Sequence, residues 1–433
     1  MTSYRWFPDR RRAELRALAS RSQQVVALAA VTGAVTGLLV AGFDRLVVDV
    51  GVNHILRLSP WVLAWLPGVG LLVALLARRV IAPGTSPSTA DEYLHEFHDP
   101  AYELGLRAFA ARMVAAVATL GLGGPMGLEG PSLYAGATIG SQLQRRLPRV
   151  FKDADRKVLL VAGAAAGVAA IFKAPATGAV FALEVPYQDD LARRMLLPAL
   201  VASATGYLSY VAINGTAALF SVGGTPGFSI RDLLGAVVIG MVAGLGARVF
   251  ALLIRIAQRY AAGTHTVWLA IISGVALAAT FAVGRLLTGE SLLVGSGYQV
   301  LQWAADPGRT VWILLAILAL RCLATSATVA GGGVGGLFVP LVVAGSLMGA
   351  TVARIVDRSD ITLFIVIGVA AFLGAGYRVP LAAVMFVAET TGRPSFVVPG
   401  LLAAVAAELV MGRSSVTAYQ RASDAVDIAA PSG

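Results

Sequence analysis

One cysteine, four histidines and few charges are the first things this sequence withholds. The single cysteine, Cys322, excludes an intrachain disulfide and any cysteine-based metal site, and is expected to be buried packing. Only 13% of the 433 residues are charged, against about 25% in an ordinary soluble domain. No basic stretch is interleaved with aromatics, so nucleic acid is not an expected partner. No Walker motif, nucleophile elbow or dinucleotide fingerprint occurs in a strand–helix context, so the chain is not expected to be an enzyme or to hold a cofactor. The start, MTSYRWFPDRRRAELRALASRSQQ, has no short apolar core with a cleavage site and does not read as a secretory signal.

What is present is apolar: 57% of residues are hydrophobic. Runs such as Val25 to Val40, Trp61 to Ala77, Val158 to Leu183, Leu233 to Ile256 and Ile361 to Val387 follow one another almost without interruption. A straight crossing needs about 20 apolar residues. Several runs fall short of that or are broken by Gly or Pro. Such segments imply helices that stop inside the membrane around a cavity, the one place where broken backbone is tolerated. The expectation is an all-α polytopic membrane protein. Residues 1–24 read as a basic surface segment, 25–420 as one membrane domain, and 421–433 as a short tail. The arginines of the N-terminal segment and the basic loop QLQRRLPRVFKDADRK both favour the cytoplasm, so both termini are expected there, with the net charge of +10 meeting anionic lipid.

The two halves, about 60–215 and 230–420, resemble each other. APATGAVFALE (Ala174 to Glu184) aligns with VPLAAVMFVAE (Val379 to Glu389). GVAAIF at Gly167 aligns with GVAAFL at Gly368, and GLEGP (Gly127 to Pro131) with GLFVP (Gly336 to Pro340). Three matches in one order at similar spacing indicate a duplicated unit. Transport folds built from repeats place their substrate site where broken helices of the two halves meet. Helix starts present free N–H groups and a partial positive charge, which suits an anion. Both glycine motifs are therefore candidate helix starts aimed at a dehydrated anion.

One carboxylate, Glu129, lies inside the first motif. Insertion scales put an acid at a helix centre at about 2.5–3.5 kcal/mol. Burial disfavours its anion and adjacent N–H donors favour it, two opposing effects that suit a switch. Gly123 and Gly127 also have GxxxG spacing, which would make Glu129 an incidental acid beside a helix contact. The cost of an acid in an apolar turn weighs against that.

These motifs resemble those of the CLC family of chloride channels and chloride/proton antiporters. GLEGP resembles its GREGP motif, GGGVGGLFVP its GGxFxP motif, and LLVAGAAAGVAAIFKAPATGAVFALE the stretch between them. The resemblance runs from about Ile81 to about Tyr419. It implies a homodimer with a pore in each subunit, in the plasma (inner) membrane, built from two inverted-topology repeats of tilted and broken helices. It further implies that Glu129 is the gate, and that the turns at Gly127, Leu128 and Gly130 and at Gly336, Leu337 and Phe338 contact the anion. The family's serine falls at Ser88 by gapless counting, or at Ser86 by alignment of prolines. A serine there could equally cap the following helix. The family's tyrosine is matched by Tyr419, although counting reaches Gln420 and the local pattern Thr417. Leu128 replaces the family's arginine beside the gate. Of the FxxEE segment, Glu184 is present but the second, proton-passing acid is replaced by Val185. That substitution favours gated passive transport of chloride and similar small anions, with the chloride/proton antiporter as the alternative and a fluoride-selective variant as a further one. Glu184, at the end of a helix in both repeat copies as Glu389 is, is expected to pair or cap. His95 and His98 of HEFH have the spacing of a metal pair, but no third ligand is evident, and a solvated cytoplasmic helix is expected.

Overall fold

The computed structural model describes residues 9–99, 101–147, 157–217, 229–263, 266–357 and 361–422. The first helix, α1 (Asp9–Asp44), runs without a break past Val25, so the basic segment and the first apolar run are one helix. A π-helical turn (Arg45–Val52) and the short α2 (Asn53–Ile55) follow. The first half continues with α3 (Pro60–Ile81), α4 (Ala90–His98), α5 (Leu106–Gly121), α6 (Glu129–Arg145), α7 (Val158–Phe172), α8 (Pro175–Glu184) and α9 (Leu196–Asn214). The second half contains α10 (Ile230–Ala261), α11 (Thr266–Thr288), α12 (Tyr298–Ala305), α13 (Val311–Ala330), α14 (Phe338–Ile355), α15 (Thr362–Tyr377), α16 (Pro380–Thr391) and α17 (Val397–Met411). Among the described residues there is no strand, only isolated bridges. The expected tail, 421–433, lies almost wholly outside the described residues.

The halves correspond element by element. In the first, α6 packs on α7 and α7 on α9; in the second, α14 packs on α15 and α15 on α17. The correspondence extends beyond the sequence match. α1 lies against α7 and α9 as α10 lies against α15 and α17. Close approach within each half depends on glycine. A Cβ on Gly136 of α6 would strike the Gly163 carbonyl of α7, and one on Gly345 of α14 would strike the Gly368 carbonyl of α15. Small residues let membrane helices approach closely enough for van der Waals packing to hold them. The GxxxG contact is thus at these positions, and not at Gly123 and Gly127, which lie in the turn before α6.

Among the described residues eight helices are long and apolar enough to cross a membrane, and the chain is a multi-pass membrane protein. α7, α8, α15 and α16 are shorter. α7 and α15 are buried on every side, which explains why their runs show no polar face. Each ends on a left-handed residue, Lys173 (φ 54°) and Arg378 (φ 58°), and two residues later a proline opens the next helix. Proline fits the first helical turn because its missing N–H is not needed there. The same turn in both halves thus breaks an apolar run into two short helices.

Two acids lock the broken pieces together across the halves. Glu184, at the end of α8, accepts from the Leu381 and Ala382 N–H groups at 3.1 and 2.8 Å, at the start of α16. Glu389, in the last turn of α16, accepts from the Ala176 and Thr177 N–H groups at 2.8 and 2.6 Å, at the start of α8. Each carboxylate satisfies orphan donors of the opposite repeat. Cys322 is partly buried against the core.

Candidate functional site

The glycine motifs of the two halves pair with each other. Gly127 N–H donates to the Gly336 carbonyl at 2.9 Å, and Gly336 N–H to the Gly127 carbonyl at 2.7 Å, a two-bond antiparallel bridge at the centre of the molecule. From this bridge α6 and α14 start away from each other, at Glu129 and Phe338. The opposed polarity of the two starts is the local form of the inverted repeat.

Glu129 is 3% exposed, and its side chain crosses the bridge. Its Oε1 accepts from Phe338 N–H at 2.6 Å and from Val339 N–H at 3.3 Å, while Oε2 is buried with no partner. The acid of one repeat thus occupies the N–H donors at the start of the other repeat's helix. A free anion reaching those donors has to displace it. A Cβ on Gly127 or Gly336 would overlap the Glu129 carboxylate where it now lies, and a Cβ on Gly130 would lie 2.8 Å from Gly336 Cα. Leu128 and Leu337 cap the two starts without side-chain bonds, and both are buried.

Around the start of α14 lies a buried aromatic cluster. The Phe338 ring lies 4.3 Å from Phe172, 5.0 Å from Phe386 and 5.4 Å from Phe181. Tyr377, 6.4 Å from Phe338, closes it.

A cavity of about 800 Å³ leads to this point. Gly336, Leu337 and Tyr377 line its inner end, and the Gly84–Glu92 loop and Val416–Tyr419 line the rest. Ser88 lines it too, but its hydroxyl donates to Asp91 Oδ2 at 3.0 Å. Ser86 donates to Glu92 at 2.7 Å and accepts from Arg112 at 3.2 Å. The hydroxyl of this loop that stands against the bridge belongs to Thr89, which would lie 2.6 Å from a Cβ on Gly130. Tyr419 is 46% exposed and stacks on His95 at 4.8 Å, away from the aromatic cluster. Its neighbour Gln420 is buried and donates to the carbonyls of Val185 and Tyr377 at 2.9 and 2.7 Å. Thr417 pairs with Ser415 at 2.9 Å. Val185 is 1% exposed and offers no titratable group.

α4 departs from the solvated helix that was expected. Asp91, Glu92, Tyr93, Leu94, Glu96 and Phe97 are all buried, because this face packs on α6 and α7. His95 is sandwiched between Tyr102 and Tyr419, and His98 meets the Pro186 carbonyl at 2.7 Å. Among the described residues no group of three metal-ligating side chains occurs. Glu92 pairs with Arg112 at 2.8 Å and Glu96 with Arg145 at 2.9 Å.

Sequence reasoning did not pick out Val339, Thr89, Asp91 or Tyr377. Only Tyr377 left a signal: it precedes the arginine of its repeat as Phe172 precedes Lys173, so the second half gains a hydroxyl where the first has none.

With this geometry in place, the comparisons with known proteins become specific. The sequence profile described as voltage gated chloride channel matches residues 69–412. The chain is 27% identical to the H(+)/Cl(−) exchange transporter ClcA of Citrobacter koseri, over 92% of this chain and 88% of that protein. It is 28% identical to ClcA of Klebsiella pneumoniae, over 89% and 85%. Its fold matches a slow cyanobacterial Cl−/H+ antiporter with a TM-score of 0.77, at 21% identity over 89% of this chain and 94% of that one. It also matches a CLC-type fluoride/proton antiporter with a TM-score of 0.78, at 21% identity over 93% and 98%. The inverted repeat, the paired glycine turns and a profile match spanning most of the membrane domain agree: the chain belongs to the voltage gated chloride channel family, the CLC family.

Proposed function

We propose that this protein exchanges chloride for protons across the membrane, with Glu129 as the group that both blocks the anion path and carries the proton. The observation that carries this reading is the Glu129 carboxylate itself. One oxygen occupies the Phe338 and Val339 donors, and the other is buried without a partner. An anion arriving at those donors competes with Glu129, and a proton on the free oxygen weakens its hold. Anion entry and proton uptake therefore favour the same displaced side chain, which is the coupling an exchanger needs. That two relatives are named H(+)/Cl(−) exchange transporters supports this over the passive channel that Val185 suggested. Thr89 and Tyr377 are the hydroxyls we assign to the anion's inner approach, with Ser88 and Tyr419 further out along the same cavity.

The basic segment after α6 favours the cytoplasm. α4 is tied to the end of α6 through Glu96 and Arg145, which supports a cytoplasmic mouth for the cavity that α4 helps to line. We place the protein in the plasma (inner) membrane as a homodimer, in keeping with the family resemblance. The test is reconstitution into vesicles with a chloride gradient and a pH-sensitive dye. Chloride movement that drives protons uphill is expected; chloride flux with no proton movement returns the assignment to a channel. Fluoride in place of chloride tests the remaining selectivity.

A further inference from the structure

Val185 cannot take up a proton from the cytoplasmic side, but other buried acids lie near the inner approach. The buried acids near the inner approach differ in what holds them. Glu92 is paired with Arg112, Glu96 with Arg145, and Glu184 is held by two N–H groups of α16. Asp91 is different. It is 8% exposed, lines the 800 Å³ cavity, and has no cation at ion-pair distance among the described residues. Its Oδ1 accepts from Ala418 N–H at 2.9 Å and its Oδ2 from the Ser88 hydroxyl at 3.0 Å. Neutral donors hold an anion less firmly than a cation does. Tyr377 lines the same cavity as Asp91, together with Gly336 and Leu337 of the turn that the Glu129 side chain crosses.

We infer that Asp91 is the inner proton-relay carboxylate of this protein and that the Tyr377 hydroxyl passes its proton to Glu129. This rests on the exchange reading above. A proton from the cavity binds the Asp91 carboxylate. The acid then donates to the Tyr377 oxygen, directly or through water, as the hydroxyl's own proton moves to the free Oε2 of Glu129. The hydroxyl reorients and is unchanged, Asp91 returns to the anion, and Glu129 is neutral. On this route the proton shares the inner cavity with the anion. Burial pushes the Asp91 carboxyl above the ordinary aspartate range, while the Ala418 N–H and the Ser88 hydroxyl act the other way. The charged groups facing the cavity are Arg78, Arg79, Arg255, Arg259 and Glu92, of which Glu92 acts with burial against the aspartate anion.

Asp91→Asn removes the proton site but keeps an oxygen acceptor for the Ala418 N–H. In chloride-loaded vesicles, Asp91→Asn is expected to lose uphill proton movement while chloride flux persists. Asp91→Glu is expected to restore coupling, and Tyr377→Phe to lower the proton-to-chloride ratio. Coupling in Asp91→Asn equal to the parent overturns the inference. So does parallel loss of both fluxes that Asp91→Glu does not repair, the behaviour of a mere strut between α4 and the Ala418 segment. A parent protein that moves no protons at all overturns the exchange reading instead.

Discussion

The Glu129 carboxylate of α6 accepts from the Phe338 N–H of α14 at 2.6 Å, so an acid from one repeat fills the helix start of the other. Removing its charge is the most direct functional test. Glu129→Gln cannot cycle a proton and holds N–H donors weakly. Vesicle assays should show chloride flux that persists without moving protons. Intact coupling in Glu129→Gln would exclude Glu129 as proton carrier.

Gly127→Ala makes the same point without touching the acid. A Cβ there meets the flexible end of Glu129 rather than backbone, and Gly127 does not need a positive φ. The protein should fold, with the carboxylate pushed off the Phe338 donor. Chloride flux should then rise and depend less on pH than in the parent, and an unchanged pH profile would count against displacement.

The Arg112–Glu92 pair, at 2.8 Å with both side chains buried, should show the asymmetry of buried ion pairs. Removing one partner strands a charge, and breaking such a pair typically costs about 3–5 kcal/mol. Arg112→Met alone should lower the melting temperature in detergent more than Arg112→Met with Glu92→Gln does. Equal losses would show that the pair is not desolvated as a unit.

Glu389→Ala leaves the Ala176 and Thr177 N–H groups without their acceptor. Each buried donor left unsatisfied costs about 1–3 kcal/mol. Thermal unfolding should fall accordingly, and Glu389→Gln, which keeps one acceptor oxygen, should recover part of the loss. A melting temperature unaffected by the alanine change would mean that water replaces the carboxylate.

Repetition is what made so much of this legible. GLEGP and GLFVP each show a helix start, and APATGAVFALE and VPLAAVMFVAE each show a proline-led helix that ends on an acid. Each half reports on the other, so α6, α8, α14 and α16 and the place of Glu129 could be read from local pattern. The hydroxyls could not. Ser88, Thr89, Tyr377 and Tyr419 sit in segments where the repeat offers no template or differs. Which of them turns inward depends on how α4 and the Val416–Tyr419 segment dock. α4 itself looked solvated because Asp91, Glu92 and Glu96 are charged, yet Arg112, Arg145 and the Ala418 N–H are supplied by elements remote in sequence.

The sequence by itself determined an apolar chain with short, interrupted helices, duplicated, with one acid at a glycine turn. Apolar runs, proline and glycine act locally, through solvation and backbone freedom, and need no partner to be read. Only the tertiary structure decided what each acid faces. Glu129, Glu184 and Glu389 each reach helix-start donors of the opposite repeat, while Asp91 reaches the Ala418 N–H and the Ser88 hydroxyl beside the cavity. A carboxylate's behaviour is set by the groups folding brings within a few ångströms, and those come from distant parts of the chain.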